Sequence, residues 1–106
     1  MVVLWAVGCK SAFIAATVTN GTGGAVSEIE IDYPSAGFGT STLAPNGVYH
    51  YRFELIGDGP LKATWTDAAK KAHSATGPTV QEGQRGTLEV TLEPDGTALW
   101  KPQLTR

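Results

Sequence analysis

The stretch VYHYRFEL, residues 48–55, decides the fold of this 106-residue chain. Aromatic and apolar side chains alternate in it with polar ones, so that one face consists of Tyr49, Tyr51, Phe53 and Leu55. Successive side chains of a strand point to opposite sides of a sheet, and this period of two therefore predicts a half-buried β-strand. The turn sequences APNG before it and GDGP shortly after it predict where the strand ends.

The same alternation recurs along the chain from Phe13 onward. It predicts inward-facing side chains in four further segments: Ile14, Ala16 and Val18; Ile29, Ile31 and Tyr33; Leu61, Ala63 and Trp65; and Leu88, Val90 and Leu92. Three weaker strands are expected: a short one from Phe38 to Leu43, a polar one from Ala72 to Thr76, and a last one from Thr97 to Lys101. A loop with Pro78 and Gly83 is expected to separate the polar strand from the next one.

Turn sequences separate these segments. Pro94-Asp95-Gly96 predicts a short hairpin because glycine readily adopts positive φ after a type I turn. Residues 67–71, DAAKK, are too few to nucleate a helix and predict a hairpin loop. The tripeptide Asn20-Gly21-Thr22 matches a glycosylation acceptor, although a turn is sufficient to explain it.

Seven or eight short strands with turns about every 8 to 12 residues predict an all-β domain with no significant helix. We expect an antiparallel, immunoglobulin-like sandwich that occupies residues 13–106 as a single domain. Parallel pairing is not expected, because it requires long crossovers and no crossover helix is visible. The strand rhythm resembles that of small bacterial immunoglobulin-like, fibronectin-III-like and carboxypeptidase-regulatory-like domains. This resemblance implies a fold and no activity.

The segment before Phe13 contains the single cysteine of the chain. Ala6, Val7, Gly8 and Cys9 together resemble the lipobox of bacterial lipoproteins. The resemblance implies that residues 1–8 are a partial lipoprotein signal peptide, that Cys9 carries the lipid, and that residues 9–12 are a short tether. No apolar run approaches the roughly 20 residues that a transmembrane helix requires, so the lipid would be the anchor.

A second interpretation of this segment stays open. Val2 to Val7 would form a short first strand and Cys9 a buried thiol, since free cysteine behaves as a small hydrophobe. Under the lipoprotein interpretation, Lys10 as second mature residue is compatible with sorting to an outer membrane, and we expect a periplasmic or outer-membrane location in a bacterial cell envelope. Three tether residues span at most about 10 Å, which would hold the domain against the membrane.

Charge and motifs exclude several classes of function. The net charge is −2 and no basic cluster is present, so we expect no nucleic-acid binding. We find no nucleophile elbow, zinc-protease motif or phosphate-binding loop, and predict no catalytic residues, metal or cofactor. His50 and His73 lie on different predicted strands and are expected to face solvent alone. The chain is therefore not expected to be an enzyme.

The aromatic side chains supply the remaining hypotheses. Burial is the favoured interpretation of Tyr49, Tyr51 and Phe53. Trp100 points away from Leu99; exposed beside Tyr33 or Phe38, it would form a binding surface for a sugar or a protein, whereas buried it would close one end of the core.

We expect a monomeric, membrane-anchored, non-catalytic lipoprotein domain with a structural or protein-binding role in the cell envelope. Its partners would be the membrane, through lipidated Cys9, and an envelope protein or polysaccharide. The alternative is a carbohydrate-binding module that uses exposed aromatic rings.

Overall fold

The computed structural model describes residues 13–106, which form eight β-strands and no helix. The strands are β1 (Phe13–Asn20), β2 (Val26–Tyr33), β3 (Ala36–Leu43), β4 (Val48–Glu54), β5 (Gly59–Thr66), β6 (Ala72–Val80), β7 (Arg85–Leu92) and β8 (Ala98–Thr105). The predictions for Ala6, Val7, Gly8 and Cys9 fall outside the described residues. Within residues 13–106 no helix exists that could span a membrane.

Two four-stranded sheets form a sandwich around one apolar core. One sheet has the order β4-β1-β7-β8 and the other the order β3-β2-β5-β6. The inner face of each sheet carries the alternating apolar side chains, which bury one another between the sheets. The predicted all-β sandwich is confirmed, and its described residues form eight strands where seven or eight were expected.

The predicted inward positions are confirmed in the central strands. Those of β1, β5 and β7 are all buried, as are Ile29 and Ile31 of β2, whereas Tyr33 is half-buried. In β4 the prediction holds for Phe53 and is wrong for Tyr51, whose side chain is 42% exposed. Because β4 is the outermost strand of its sheet, Tyr51 lies at the open side of the sandwich.

Five of the six strand pairings are antiparallel, and the sixth, between β1 and β7, is parallel. Parallel pairing was not expected, because no crossover helix is present. The chain crosses between these two strands by way of the other sheet, so strands rather than a helix make the long connection that parallel pairing requires.

Strand β6 is longer than the sequence predicts, because it continues through Pro78 to Val80. Proline lacks an N–H and is tolerated in edge strands and at bulges. Both conditions hold here, since β6 is an edge strand and its register with β5 shifts between Pro60 and Lys62.

The two predicted tight connections are confirmed. Residues 67–71 form a hairpin loop closed by the Asp67 N–H, which donates to the Lys71 carbonyl at 2.8 Å. In the β7–β8 hairpin the Glu93 N–H donates to the Thr97 carbonyl at 2.9 Å, and Gly96 adopts a φ of 86°. That φ is the left-handed conformation for which glycine was expected at this turn.

Trp100 lies half-buried against β6, where its indole packs over Gly77. A Cβ atom added to Gly77 would lie 2.6 Å from Cε2 of the indole, so only glycine leaves room for the ring. Trp100 thereby closes the side of the sandwich between the edge strands β6 and β8.

Gly77→Ala is expected to lower the free energy of unfolding by about 1–3 kcal/mol, the usual cost of overpacking a rigid contact. The added methyl group has to displace Trp100 from its seat on β6. Urea unfolding measures the loss, and Thr76→Ala, at an exposed position of the same strand, serves as the control and should be close to neutral. Equal stability of the two variants would contradict the packing described for Trp100.

Candidate functional site

The four edge strands of the sandwich differ in how they are protected against pairing with another chain. Strand β4 carries Arg52 and Glu54, β6 contains a proline, and β8 contains a lysine and a proline. Charged residues and proline are the usual devices that keep an edge strand from pairing. Strand β3, with the sequence AGFGTSTL, has neither over its eight residues. Among the described strands it is the unprotected edge.

Five aromatic rings fill the opening between β3 and β4 on this side of the sandwich. We call this group the aromatic rim: Tyr33, Phe38, Tyr49, Tyr51 and Phe53. Ring centroids are 4.4 Å apart for Tyr33 and Phe53, 4.6 Å for Phe38 and Tyr51, and 5.2 Å for Phe38 and Phe53. Such pairs contribute about 0.5–1.5 kcal/mol beyond the area they bury, so the rim holds the two edge strands together.

The five side chains of the aromatic rim differ in their exposure to solvent. Phe38 and Phe53 are buried, Tyr33 and Tyr49 are half-buried, and Tyr51 is exposed. Burial raises the pKa of Tyr33, and the neighbouring Tyr51 raises it further. The Tyr33 phenol, which is protonated at neutral pH in any case, therefore stays protonated to a higher pH than a free phenol.

A pair of carboxylates flanks the β3 edge on the outer face of the same sheet. Glu30 and Asp32 of β2 lie opposite Gly39 and Gly37 of β3. A Cβ atom added to Gly37 would lie 2.5 Å from Asp32 Oδ1 and 3.1 Å from Glu30 Oε2. At these two positions the outer face of β3 carries no side chain, and the carboxylates reach over Gly37.

No basic side chain of residues 13–106 lies within 4 Å of either carboxylate, although Lys62 of β5 is the cross-strand neighbour of Asp32. The single ion pair within 4 Å among residues 13–106 joins His73 and Asp67. A hydrogen bond to Asp32 and repulsion by its charge both raise the pKa of Glu30. Like charges in proximity cost free energy when both are ionised, so this pair slightly destabilises the isolated fold at neutral pH.

The structure brings together two of the three side chains of the predicted binding surface. The rings of Tyr33 and Phe38 are 6.3 Å apart, and both belong to the aromatic rim. Trp100 lies on β8, at the opposite edge of the sandwich, and does not join them. Trp100 is half-buried against β6, as in the alternative in which it closes the core, and Tyr51 is the exposed ring beside Phe38.

Neither the carboxylate pair nor the unprotected edge is predicted by the sequence patterns described above. The available signal was the alternation of Gly37 and Gly39 in a segment without charge, beside the acidic positions of β2. That signal acquires meaning only once β3 is known to be an edge strand, which is a property of the sheet order and not of local sequence.

A second polar group fastens the β5–β6 loop at one end of the sandwich. Asp67 Oδ1 accepts hydrogen bonds from the N–H groups of Ala69 and Lys71, both at 2.9 Å, and Asp67 Oδ2 lies 2.7 Å from His73 Nε2. The His73 ring stacks on Trp65 with centroids 5.5 Å apart. His73 is therefore half-buried and paired, and the prediction that it faces solvent alone is wrong.

This second group is structural in character. Residues 13–106 contain no cluster of three or more His, Cys, Asp or Glu side chains able to hold a metal ion. The hydrogen bonds of Asp67 all hold the β5–β6 loop closed. His50, the other histidine, is exposed and lies 3.2 Å from Thr17 Oγ1.

Asp67→Asn is expected to destabilise the protein at neutral pH and to have a smaller effect in acid. Hydrogen bonds from His73 and from the loop backbone lower the pKa of Asp67. An acid with a lowered folded-state pKa stabilises the fold above its unfolded pKa and loses that contribution as pH falls through the folded one. Thermal unfolding from pH 7 to pH 2 measures the melting temperatures of the wild-type protein and of Asp67→Asn. The two melting temperatures should converge below about pH 4. A difference in melting temperature that stays constant with pH would contradict the stabilising role of the Asp67 carboxylate.

Comparison with known proteins supports the fold alone. No protein-family model matches the chain, and no curated protein matches it. The solved NMR structure of a protein from Eubacterium rectale superimposes with a TM-score of 0.57 at 14% sequence identity. The match covers 87% of this chain and 90% of that one. At this identity the likeness establishes a shared sandwich and carries no information about a ligand.

Proposed function

We propose that the chain is a non-catalytic protein-binding domain of a bacterial cell envelope, anchored to a membrane by lipid on Cys9. It binds an extended segment of its partner along the β3 edge. The observation that carries this proposal is the absence of any charge or proline from β3, when each of the other three edge strands has at least one. A bare edge offers a row of unpaired N–H and C=O groups to an added strand.

The aromatic rim supports the same surface. An added strand would place every second side chain toward the sandwich side of β3, where Tyr51 is exposed and Tyr49 is half-buried. Exposed tyrosine rings beside a free edge supply apolar contact area at low conformational cost. Main-chain hydrogen bonds to β3 would supply affinity, and the aromatic rim would select among the side chains of the added strand.

Alternate N-methylation of a bound peptide tests the proposal. In a strand, alternate N–H groups face one neighbour, so methylating one set blocks pairing with β3 while methylating the other set leaves it intact. For decapeptides selected from a random library against the full chain, we expect one methylated set to bind at least tenfold more weakly than the other. Equal affinities for the two sets, or a selection without binders, would contradict edge pairing.

The membrane anchor has its own test. Metabolic labelling with a palmitate analogue in a bacterial host should label the wild-type chain and leave Cys9→Ala unlabelled. The lipobox-like residues Ala6, Val7 and Gly8 support this part of the proposal. An unlabelled wild-type chain would remove the anchor from the account and leave the β3 edge unaffected.

Carbohydrate binding is the second candidate function, favoured by the arrangement of two tyrosines. The rings of Tyr49 and Tyr51 are 6.4 Å apart and inclined by only 15°, which is the form of a small stacking platform. If this is the function, Tyr51→Ala abolishes binding to soluble peptidoglycan fragments. Leu99→Ala, which removes another exposed apolar side chain far from the rim, should then have no effect.

A further inference from the structure

We propose, on the basis of the edge-pairing function above, that the partner segment is basic on one face and apolar on the other. Arginine or lysine at every second position would meet Glu30 and Asp32 over the outer face of β3. The intervening apolar residues would contact the aromatic rim. The structure thus specifies an extended basic peptide as the occupant of the β3 edge.

The outer face provides the space for the basic side chains. A strand added to β3 would lie about 4.8 Å from it and twice that distance from β2. Side chains of β3 would normally fill the space between, but Gly37 and Gly39 have none. A long arginine or lysine side chain can therefore lie across the two glycines toward the carboxylates, which already lie over Gly37.

The charge balance of this face favours a cation. Glu30 and Asp32 repel one another. Lys62 of β5 is the cross-strand neighbour of Asp32, but no basic side chain of the described residues lies within 4 Å of either carboxylate, and two carboxylates against one ammonium group leave an excess of negative charge. A guanidinium group placed between them removes the repulsion and forms charge-assisted hydrogen bonds, which are about twice as strong as neutral ones. The energetic cost that the pair imposes on the free domain is thereby recovered in the complex.

The inner face selects apolar side chains. Side chains that alternate with the basic ones point toward Tyr51, whose ring stacks at 14° on Phe38. No described carboxylate or basic group belongs to the aromatic rim, so a charged side chain on this face would lose hydration without a partner. A period-two pattern of basic and apolar residues follows from the two faces.

The same charges disfavour a second copy of this chain as the occupant. Two β3 strands paired edge to edge would bring two carboxylate pairs to one outer face. Because the carboxylates of β2 reach over Gly37 of β3, the two pairs would repel one another near the junction. Self-association through β3 is therefore expected to be weak.

Two peptides and two double variants test the inference. The probes are decapeptides of alternating arginine and valine or alternating glutamate and valine, titrated against the full chain by calorimetry. We expect the arginine peptide to bind at least tenfold more tightly, and Glu30→Gln with Asp32→Asn to remove most of this preference. Glu89→Gln with Glu93→Gln removes the same net charge at β7 of the other sheet and the hairpin that follows it, and should leave the preference intact.

The outcomes separate this inference from the function on which it rests. If both peptides bind equally and alternate N-methylation weakens both, edge pairing holds and the basic partner is wrong. If N-methylation affects neither, edge pairing itself is wrong. An equal loss in the two double variants would show attraction by net charge alone and would overturn the inference. A dimer in sedimentation that Glu30→Gln with Asp32→Asn strengthens would make a second copy the occupant and would also overturn it.

Discussion

Asn20→Ala is expected to lower the free energy of unfolding by about 2–4 kcal/mol, because the amide is a buried junction between two loops. The Asn20 side chain has 0% exposure. Its Nδ2 lies within hydrogen-bond distance of three carbonyls, which share its two N–H donors: Gly24 at 2.7 Å, Leu43 at 3.0 Å and Ala44 at 3.1 Å. Its Oδ1 accepts from the Thr22 N–H. The residue therefore joins the β1–β2 loop to the end of β3.

The size of the effect follows from the groups left without a partner. Each buried carbonyl that loses its donor costs about 1–3 kcal/mol, and the bond to Leu43 is fully buried. For a domain of this size each kcal/mol lowers the melting temperature by about 4–8 °C. Urea unfolding and thermal melting at pH 7 measure the loss.

Two companion variants sharpen the test. Asn20→Asp keeps the oxygen that accepts from Thr22, but it loses the Nδ2 donor and buries a negative charge beside carbonyl oxygens, so it should destabilise more than alanine. Thr22→Ala removes only the hydroxyl bonds and should destabilise less. If Asn20→Ala loses no more free energy of unfolding than Thr22→Ala, the Asn20 amide is not the junction between the two loops. Burial of Nδ2 also implies that the folded protein carries no glycan at Asn20.

Gly86→Ala is the second substitution with a large expected effect, a loss of about 3 kcal/mol or more in the free energy of unfolding. Gly86 adopts a φ of 136° in β7, a conformation that residues with a side chain rarely adopt. An added Cβ atom would also overlap the Gln103 carbonyl oxygen of the paired strand β8. Because the obstacle is backbone, β8 has to move to admit the methyl group.

Gly83→Ala provides the matched control for that substitution. Gly83 has a φ of 87° with nothing within 4 Å of an added Cβ atom, so it tests positive φ without the overlap. We expect it to cost about 1 kcal/mol, the price of the left-handed conformation. Denaturant unfolding of Gly86→Ala and Gly83→Ala then isolates the contribution of the close β7–β8 contact. Equal losses in the free energy of unfolding would contradict that contribution.

Local sequence was sufficient to predict the strands and most of the core. Alternation identified the buried side chains of β1, β5 and β7 because these strands lie inside their sheets and have one face fully covered. The same rule failed at Tyr51, since an edge strand is covered only in part. Pro78 likewise suggested a loop, although at a bulge in an edge strand proline is compatible with pairing.

The candidate site could not be predicted, because it depends on long-range order. Nothing local shows that β3 is an edge strand or that β8 is remote from β2, and the grouping of Trp100 with Tyr33 and Phe38 failed for that reason. The burial of Asn20 also depends on contacts that local sequence does not show. A turn sequence predicts its backbone, whereas its partners Leu43 and Ala44 lie at the end of β3 and just after it, more than 20 residues away in sequence.

Hydrogen exchange of the full chain, with and without the arginine–valine peptide, tests most directly whether partners pair with β3. The account predicts slower exchange at those amides of residues 36–43 that face away from β2, with no change along the edges of β6 and β8. Protection confined to another edge, or binding of the peptide without protection of any β3 amide, would contradict the central claim.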